Sequence, residues 1–178
     1  MTCIVGIADG DKVYMGADSM ASDSWNKYTS AEGKLWKEGG LLFGGCGNIR
    51  PLQVIKHHLT IPQQADDQDT EEYLVASLAD AIAHTLDEHG MLTKKWQIHG
   101  GGSLMLGYRG ALYSIGCDLT VMVCADGYGA DGSGRDHALG ALFATKTVAN
   151  TKKRLTTALE AASYHGLYVA PPFVIMSV

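Results

Sequence analysis

Met1-Thr2-Cys3-Ile4-Val5-Gly6-Ile7-Ala8-Asp9-Gly10-Asp11-Lys12-Val13-Tyr14-Met15-Gly16-Ala17-Asp18-Ser19 opens the chain. The segment Cys3 to Ala8 is apolar and rich in β-branched residues, Gly10-Asp11 is a turn signal, and Val13 to Ala17 is a second apolar run. Together they predict a β-hairpin at the N-terminus. Asp18 follows the second run directly, so its carboxylate sits at a strand end.

A polar stretch from Ser19 to Gly33 reads as a loop. Lys34 to Lys37 and Leu41 to Gly44, joined by Gly39-Gly40, predict a second hairpin. Lys34 abuts the apolar pair Leu35-Trp36, so the strand ends carrying Asp18 and Lys34 are expected to face one cleft. Leu52, Ile55 and Leu59 recur at helical spacing over Pro51 to Leu59. After the acidic stretch Asp66 to Asp69, Thr70 is expected to cap a long helix with Tyr73, Leu74, Leu78, Ile82 and Leu86 on one face, ended by Gly90. Leu104 to Tyr108 and Ala111 to Ile115, separated by Arg109-Gly110, read as a third hairpin, and Leu119 to Cys124 as a strand. A glycine-rich stretch leads to helices over His137 to Val148 and Thr151 to His165, and Phe173 to Met176 reads as a last strand. Strands and helices come in blocks rather than in alternation. That order predicts an α+β fold of antiparallel sheets packed with helices, not a doubly wound one.

Composition narrows the function. The chain has 178 residues, enough for one domain with a substantial core, and 46% of them are hydrophobic. Its net charge of −5 and its 14 scattered basic residues argue against nucleic-acid binding. The longest apolar stretches are strand-length, so no membrane span is expected. The N-terminus lacks a basic segment and reaches Asp9 too soon for a signal peptide, which leads to an expectation of a cytoplasmic protein. Cys3, Cys46, Cys117 and Cys124 form no CxxC pair and lie in or beside apolar runs, so buried free thiols are expected. The histidines show no metal-ligand spacing, and no metal or cofactor site is expected.

The same element order, with particular residues in it, resembles the proteasome β-subunit family and the related bacterial ATP-dependent protease peptidase. Met1-Thr2 before a strand, Gly16-Ala17-Asp18-Ser19 closing the second strand, Lys34 opening the third, Gly44-Gly45-Cys46-Gly47 turning toward a helix, and Gly132-Ser133-Gly134 entering another carry the likeness. It covers nearly the whole chain. The resemblance implies a single domain over residues 1–178, with the N-terminal nucleophile hydrolase fold: a four-layer α-β-β-α sandwich of two antiparallel sheets.

It also implies a chemistry. A threonine hydroxyl attacks a peptide carbonyl once a neighbouring base takes its proton. When the nucleophile is the first residue, its own α-amine, which titrates near neutrality, can be that base. Thr2 is then the nucleophile after removal of Met1, and Asp18 orients Lys34. The Lys34 ammonium lowers the proton affinity of the hydroxyl, while the Gly47 N–H meets the developing oxyanion. Ser133 hydrogen-bonds near the terminal amine, or alternatively caps the following helix. The family implies a homo-oligomeric ring of six or seven subunits, peptide or unfolded-protein substrates, and an ATP-dependent unfoldase as a further partner.

Two departures and one decoy qualify this. After its last long helix the family carries an aspartate and then a hydroxyl residue; here Tyr164 and Val169 stand at about those places. Gly127-Tyr128-Gly129-Ala130-Asp131-Gly132 matches a dinucleotide fingerprint, but Thr151-Lys152-Lys153 supplies no ribose-binding acid, and βαβ alternation is missing. The expected function is a threonine peptidase in a ring. The alternative is a non-catalytic ring or shell protein, and a small-molecule amidohydrolase is a third variant.

Overall fold

In the computed structural model, which describes residues 2–23 and 25–178, β1 (Cys3–Asp9) and β2 (Lys12–Asp18) form the expected hairpin. β1 is apolar on both faces because both are covered. Cys3, Val5 and Ile7 point one way and Ile4 the other, into different apolar clusters. The removal of Met1, on which the nucleophile assignment depends, concerns a residue outside those described.

The stretch predicted as a loop before Lys34 instead holds a small hairpin, β3 (Met20–Ser22) and β4 (Lys27–Thr29). Its turn is organised by Asp23, whose carboxylate accepts from the backbone N–H of Trp25 at 3.0 Å and of Asn26 at 2.6 Å. The Tyr28 hydroxyl donates to the same side chain at 2.7 Å. An Asx turn of this kind closes a hairpin inside a stretch whose polarity alone reads as loop.

β5 (Leu35–Glu38) and β6 (Leu41–Gly47) form the next hairpin and lead into α1 (Ile49–His58), which Asn48 caps. The long helix α2 runs through Thr70–Glu72, a π-helical segment Tyr73–Leu78, and Ala79–Glu88. Its cap is Asp69 rather than Thr70; the Asp69 carboxylate accepts from the N–H of Glu71 and Glu72. Leu74, Leu78, Ile82 and Leu86, all fully buried, repeat every four residues. Four-residue steps over-rotate by about 40° each on a helix of about 3.6 residues per turn. The wider π turns offset that drift and keep the stripe inward.

β7 (Gly102–Tyr108), β8 (Ala111–Ile115) and β9 (Val121–Val123) follow. Tyr128–Gly132, inside the glycine-rich stretch, is a further strand, β10, and the decoy fingerprint is therefore strand rather than phosphate loop. α3 (Arg135–Ala144), α4 (Thr151–His165) and β11 (Phe173–Ser177) complete the chain.

The strands form two antiparallel sheets, ordered β10-β1-β2-β11 and β5-β6-β7-β8-β9, beside the β3-β4 hairpin. One cluster, with Ile4, Met15, Leu42, Met105 and Leu112, joins the two sheets. They approach closely there: a Cβ on Gly6 would meet the Leu112 and Met105 side chains at 2.7 and 2.8 Å. A second cluster packs α1 and α2 on the five-stranded sheet, and a third packs α3 and α4 on the four-stranded one. Among the described residues no helix is long and apolar enough to cross a membrane. Cys3 and Cys46 are buried as expected, but Cys117 is exposed, because it sits past the end of β8 in a turn rather than in the sheet.

Candidate active site

Asp18 organises the site. The last residue of β2, it is 1% exposed, and its Oδ1 accepts from the Cys3 N–H at 2.9 Å and from the Lys34 ammonium at 2.7 Å. Its Oδ2 accepts from the Met20 N–H at 3.0 Å and the Ala170 N–H at 3.4 Å. A carboxylate taken out of water needs this many donors and an adjacent cation. Lys34, just before β5, thereby has its charged end pinned toward the start of β1, the cleft anticipated from the two strand ends.

Thr2 lies there, 4% exposed. Its N–H donates to Ser133 Oγ at 3.2 Å, the Ser133 hydroxyl donates to the Thr2 carbonyl at 3.2 Å, and the Gly134 N–H reaches that carbonyl at 3.2 Å. Between the helix-cap and terminal-amine readings of Ser133, the geometry brings it to Thr2: the residue capping α3 is Gly134, with no side-chain cap bond. Gly132 has φ +88°, and a Cβ there would run into the Thr2 carbonyl oxygen, so only glycine lets the two strands approach.

Gly47, at the end of β6, has φ +100°, and a Cβ would collide with the Gly101 carbonyl oxygen. It borders two cavities that both reach Thr2. The first, about 160 Å³, has Met20, Trp36 and Leu52 among its apolar walls and Ser22, Glu32 and Gln53 among its polar ones. Gln53 Nε2 donates to Glu32 Oε2 at 3.0 Å, and that bond chiefly holds the Glu32 carboxyl below its ordinary value. The Ser22 Oγ is buried and has no hydrogen-bond partner among the described residues. The second cavity, about 490 Å³, has Gly101, Ser103, Asp131 and Ser133 in its wall.

Cys3 and Cys46 adjoin the site, but burial above all pushes both thiols up to about 12. They stay protonated near neutrality and are poor nucleophiles. All five residues singled out from the sequence, Thr2, Asp18, Lys34, Gly47 and Ser133, therefore meet in one region. Sequence reading missed Ser22, Glu32, Gln53, Ser103 and Asp131, of which only Asp131, a lone charge in a glycine-rich run, carried a local signal.

The two departures fall differently. Tyr164 is 85% exposed, its ring edge-on to His165, and none of Ser163, Tyr164 and His165 lines either cavity. Val169 is buried in the α3–α4 cluster. Its neighbour Ala170 serves the site through its backbone N–H to Asp18.

No protein-family model and no curated protein matches the chain. Solved structures do. BPH from Thiobacillus denitrificans in complex with epoxomicin is similar with TM-score 0.82 and 15% identity, over 99% of this chain and 98% of that one. Eukaryotic HslV from Trypanosoma brucei gives TM-score 0.71 and 18% identity, over 99% and 98% of the two chains. Anbu, an ancestral beta-subunit from Yersinia bercovieri, gives 0.69 and 16%, over 99% and 81%. Across nearly its full length, the chain has the proteasome-type N-terminal nucleophile hydrolase fold.

Proposed function

We propose that this protein is an N-terminal threonine hydrolase, a peptidase working inside a homo-oligomeric ring, with Thr2 as nucleophile once Met1 is removed. The observation that carries the reading is the junction of Thr2, the Asp18–Lys34 pair at 2.7 Å and Ser133 beside a cavity bordered by Gly47. In this reading residues 1–178 are one domain, the two sheets and four helices stack as an α-β-β-α sandwich, and six or seven subunits close each ring.

The chemistry follows from the groups present. The free α-amine of Thr2 takes the proton from its own hydroxyl, Oγ1 attacks the carbonyl, and the N–H of Gly47 receives the oxyanion. The same amine, now protonated, delivers a proton to the departing nitrogen, leaving an ester on Thr2 that water hydrolyses. Lys34 stays charged throughout. An ammonium about 4 Å from a developing alkoxide is worth on the order of 4 kcal/mol at an effective dielectric of about 20, close to a thousandfold in rate. Ser133 holds the amine in place. The first cavity receives the acyl side chain.

Epoxomicin, the ligand in one of the BPH structures, provides the test. Untagged protein should gain one equivalent of it at Thr2 by peptide mass mapping, and Lys34→Ala should lose labelling by about a thousandfold in rate. Unchanged labelling in Lys34→Ala would remove Lys34 from the mechanism, and no labelling of wild type would remove the mechanism itself. A second reading, a non-catalytic ring or shell protein, is favoured by Val169, an apolar residue where the family places a hydroxyl. An ATP-dependent unfoldase partner belongs to the peptidase reading only.

A further inference from the structure

The second cavity touches Thr2, Gly47 and Ser133 but has no assigned occupant in the reading above, and it holds an acidic group. A carbonyl attacked by the Thr2 hydroxyl bears two substituents that diverge from the reacting carbon, the acyl chain and the amine that departs. Each needs a space beside the nucleophile. The first cavity, with its Met20, Trp36 and Leu52 walls, accommodates an acyl side chain. The second is open and walled by Gly47, Gly101, Gly102 and Gly132, which let a polypeptide backbone pass close by.

Asp131 is the acidic group in that wall. Its Oδ2 accepts from the Ser103 hydroxyl at 2.6 Å and its Oδ1 from the Gly132 N–H at 2.7 Å. Ser103 Oγ lies 3.0 Å from Cys46 Sγ, so a buried thiol, a hydroxyl and the carboxylate form one chain that fixes the Asp131 side chain. A carboxylate has about four lone-pair positions, more than the Ser103 and Gly132 bonds occupy. The cation on the same wall, Arg135, is exposed, and its Nε donates to Asp136 at 3.2 Å. The carboxylate is thus held in place before any substrate arrives, the condition under which a charge discriminates well.

We infer that this cavity is the leaving-group subsite and that Asp131 selects substrates with lysine or arginine immediately after the scissile bond. The inference rests on the threonine hydrolase reading and adds the chemistry of the departing half. No new bond is formed at Asp131; the carboxylate acts by charge alone.

Internally quenched peptides that share one acyl-side sequence and differ only after the scissile bond, with lysine, norleucine or glutamate there, test it. Mass spectrometry fixes the bond cut. Wild type should prefer lysine over norleucine by about fivefold in kcat/KM, the strength of a partly exposed ion pair, and norleucine over glutamate in the same direction. Asp131→Asn keeps the shape and an oxygen for the Gly132 N–H, and should bring the lysine-to-norleucine ratio to about one. Epoxomicin labelling of wild type reads the nucleophile separately, because that reagent has no residue on the leaving side. A wild-type ratio near one, or a ratio that survives Asp131→Asn, overturns the inference while leaving the nucleophile intact. Failure of wild type to label with epoxomicin overturns the threonine hydrolase reading first, and this inference with it.

Discussion

At the scale of single residues, Asp18 accepts four hydrogen bonds from four separate stretches of chain, at residues 3, 20, 34 and 170. Its side chain is fully buried while that of Lys34 is 13% exposed. Asp18→Ala should therefore cost about 3–5 kcal/mol in urea unfolding, the usual result of stranding one member of a buried pair. A loss below about 1 kcal/mol would mean that water or another acid replaces the carboxylate. The buried thiols give a second test. With folded pKa values near 12, Cys3 and Cys46 hold their protons at a pH where the unfolded chain, at about 9, releases them. The folded state then binds more protons than the unfolded one, so stability falls as pH rises from about 9 toward 12. Each thiol contributes a slope of about 1.4 kcal/mol per pH unit. Cys46→Ala should make urea midpoints measured at pH 8, 9 and 10 fall less steeply than in wild type; parallel curves would contradict the assignment. Thr2, Asp18, Lys34, Gly47 and Ser133 were singled out through the resemblance to the proteasome β-subunit family, and from the residues alone only the facing strand ends of Asp18 and Lys34 could be read. Glu32, Gln53 and Ser103 were not, since each lies in an ordinary polar or strand context and joins the site only through tertiary folding.

At the scale of elements, hydrophobic periodicity located the hairpins and helices, because core-facing stripes leave a trace in any window. It failed where structure depends on side-chain hydrogen bonds or on a single partner strand. β3 and β4 are held by the Asp23 turn, and β10 is a glycine-rich edge strand whose register is set by β1. The π segment of α2 likewise reflects packing against the sheet and not local propensity. The α4 prediction is the firmest at this scale: Leu159 is fully buried, its methyl 3.0 Å from where a Cβ on Gly16 would lie. Leu159→Ala should cost about 2–5 kcal/mol in thermal or urea unfolding. A cost under about 1 kcal/mol would imply that α4 collapses onto the small residues of β2.

At the scale of the whole molecule, the α+β fold joins three segments distant in sequence, around Thr2, Lys34 and Ser133, into one site. In the proposed reading a 19.0 kDa peptidase acting outside any compartment would meet every chain in solution, and a closed ring of identical subunits is the ordinary geometry that sequesters such a site. Phe143, Val75, Leu167 and Tyr164 are exposed apolar residues on or beside three of the four helices, the surface that the proposed ring would bury. The threonine hydrolase reading depends on one chemical fact, whether the amine of Thr2 is free. Native mass spectrometry of untagged protein from its own host reads it directly, giving the mass of the assembly and, after collisional release, of its subunits. The account predicts a particle of six or seven subunits per ring whose subunits lack Met1. Subunits that uniformly retain Met1 would leave the fold standing and contradict the threonine hydrolase.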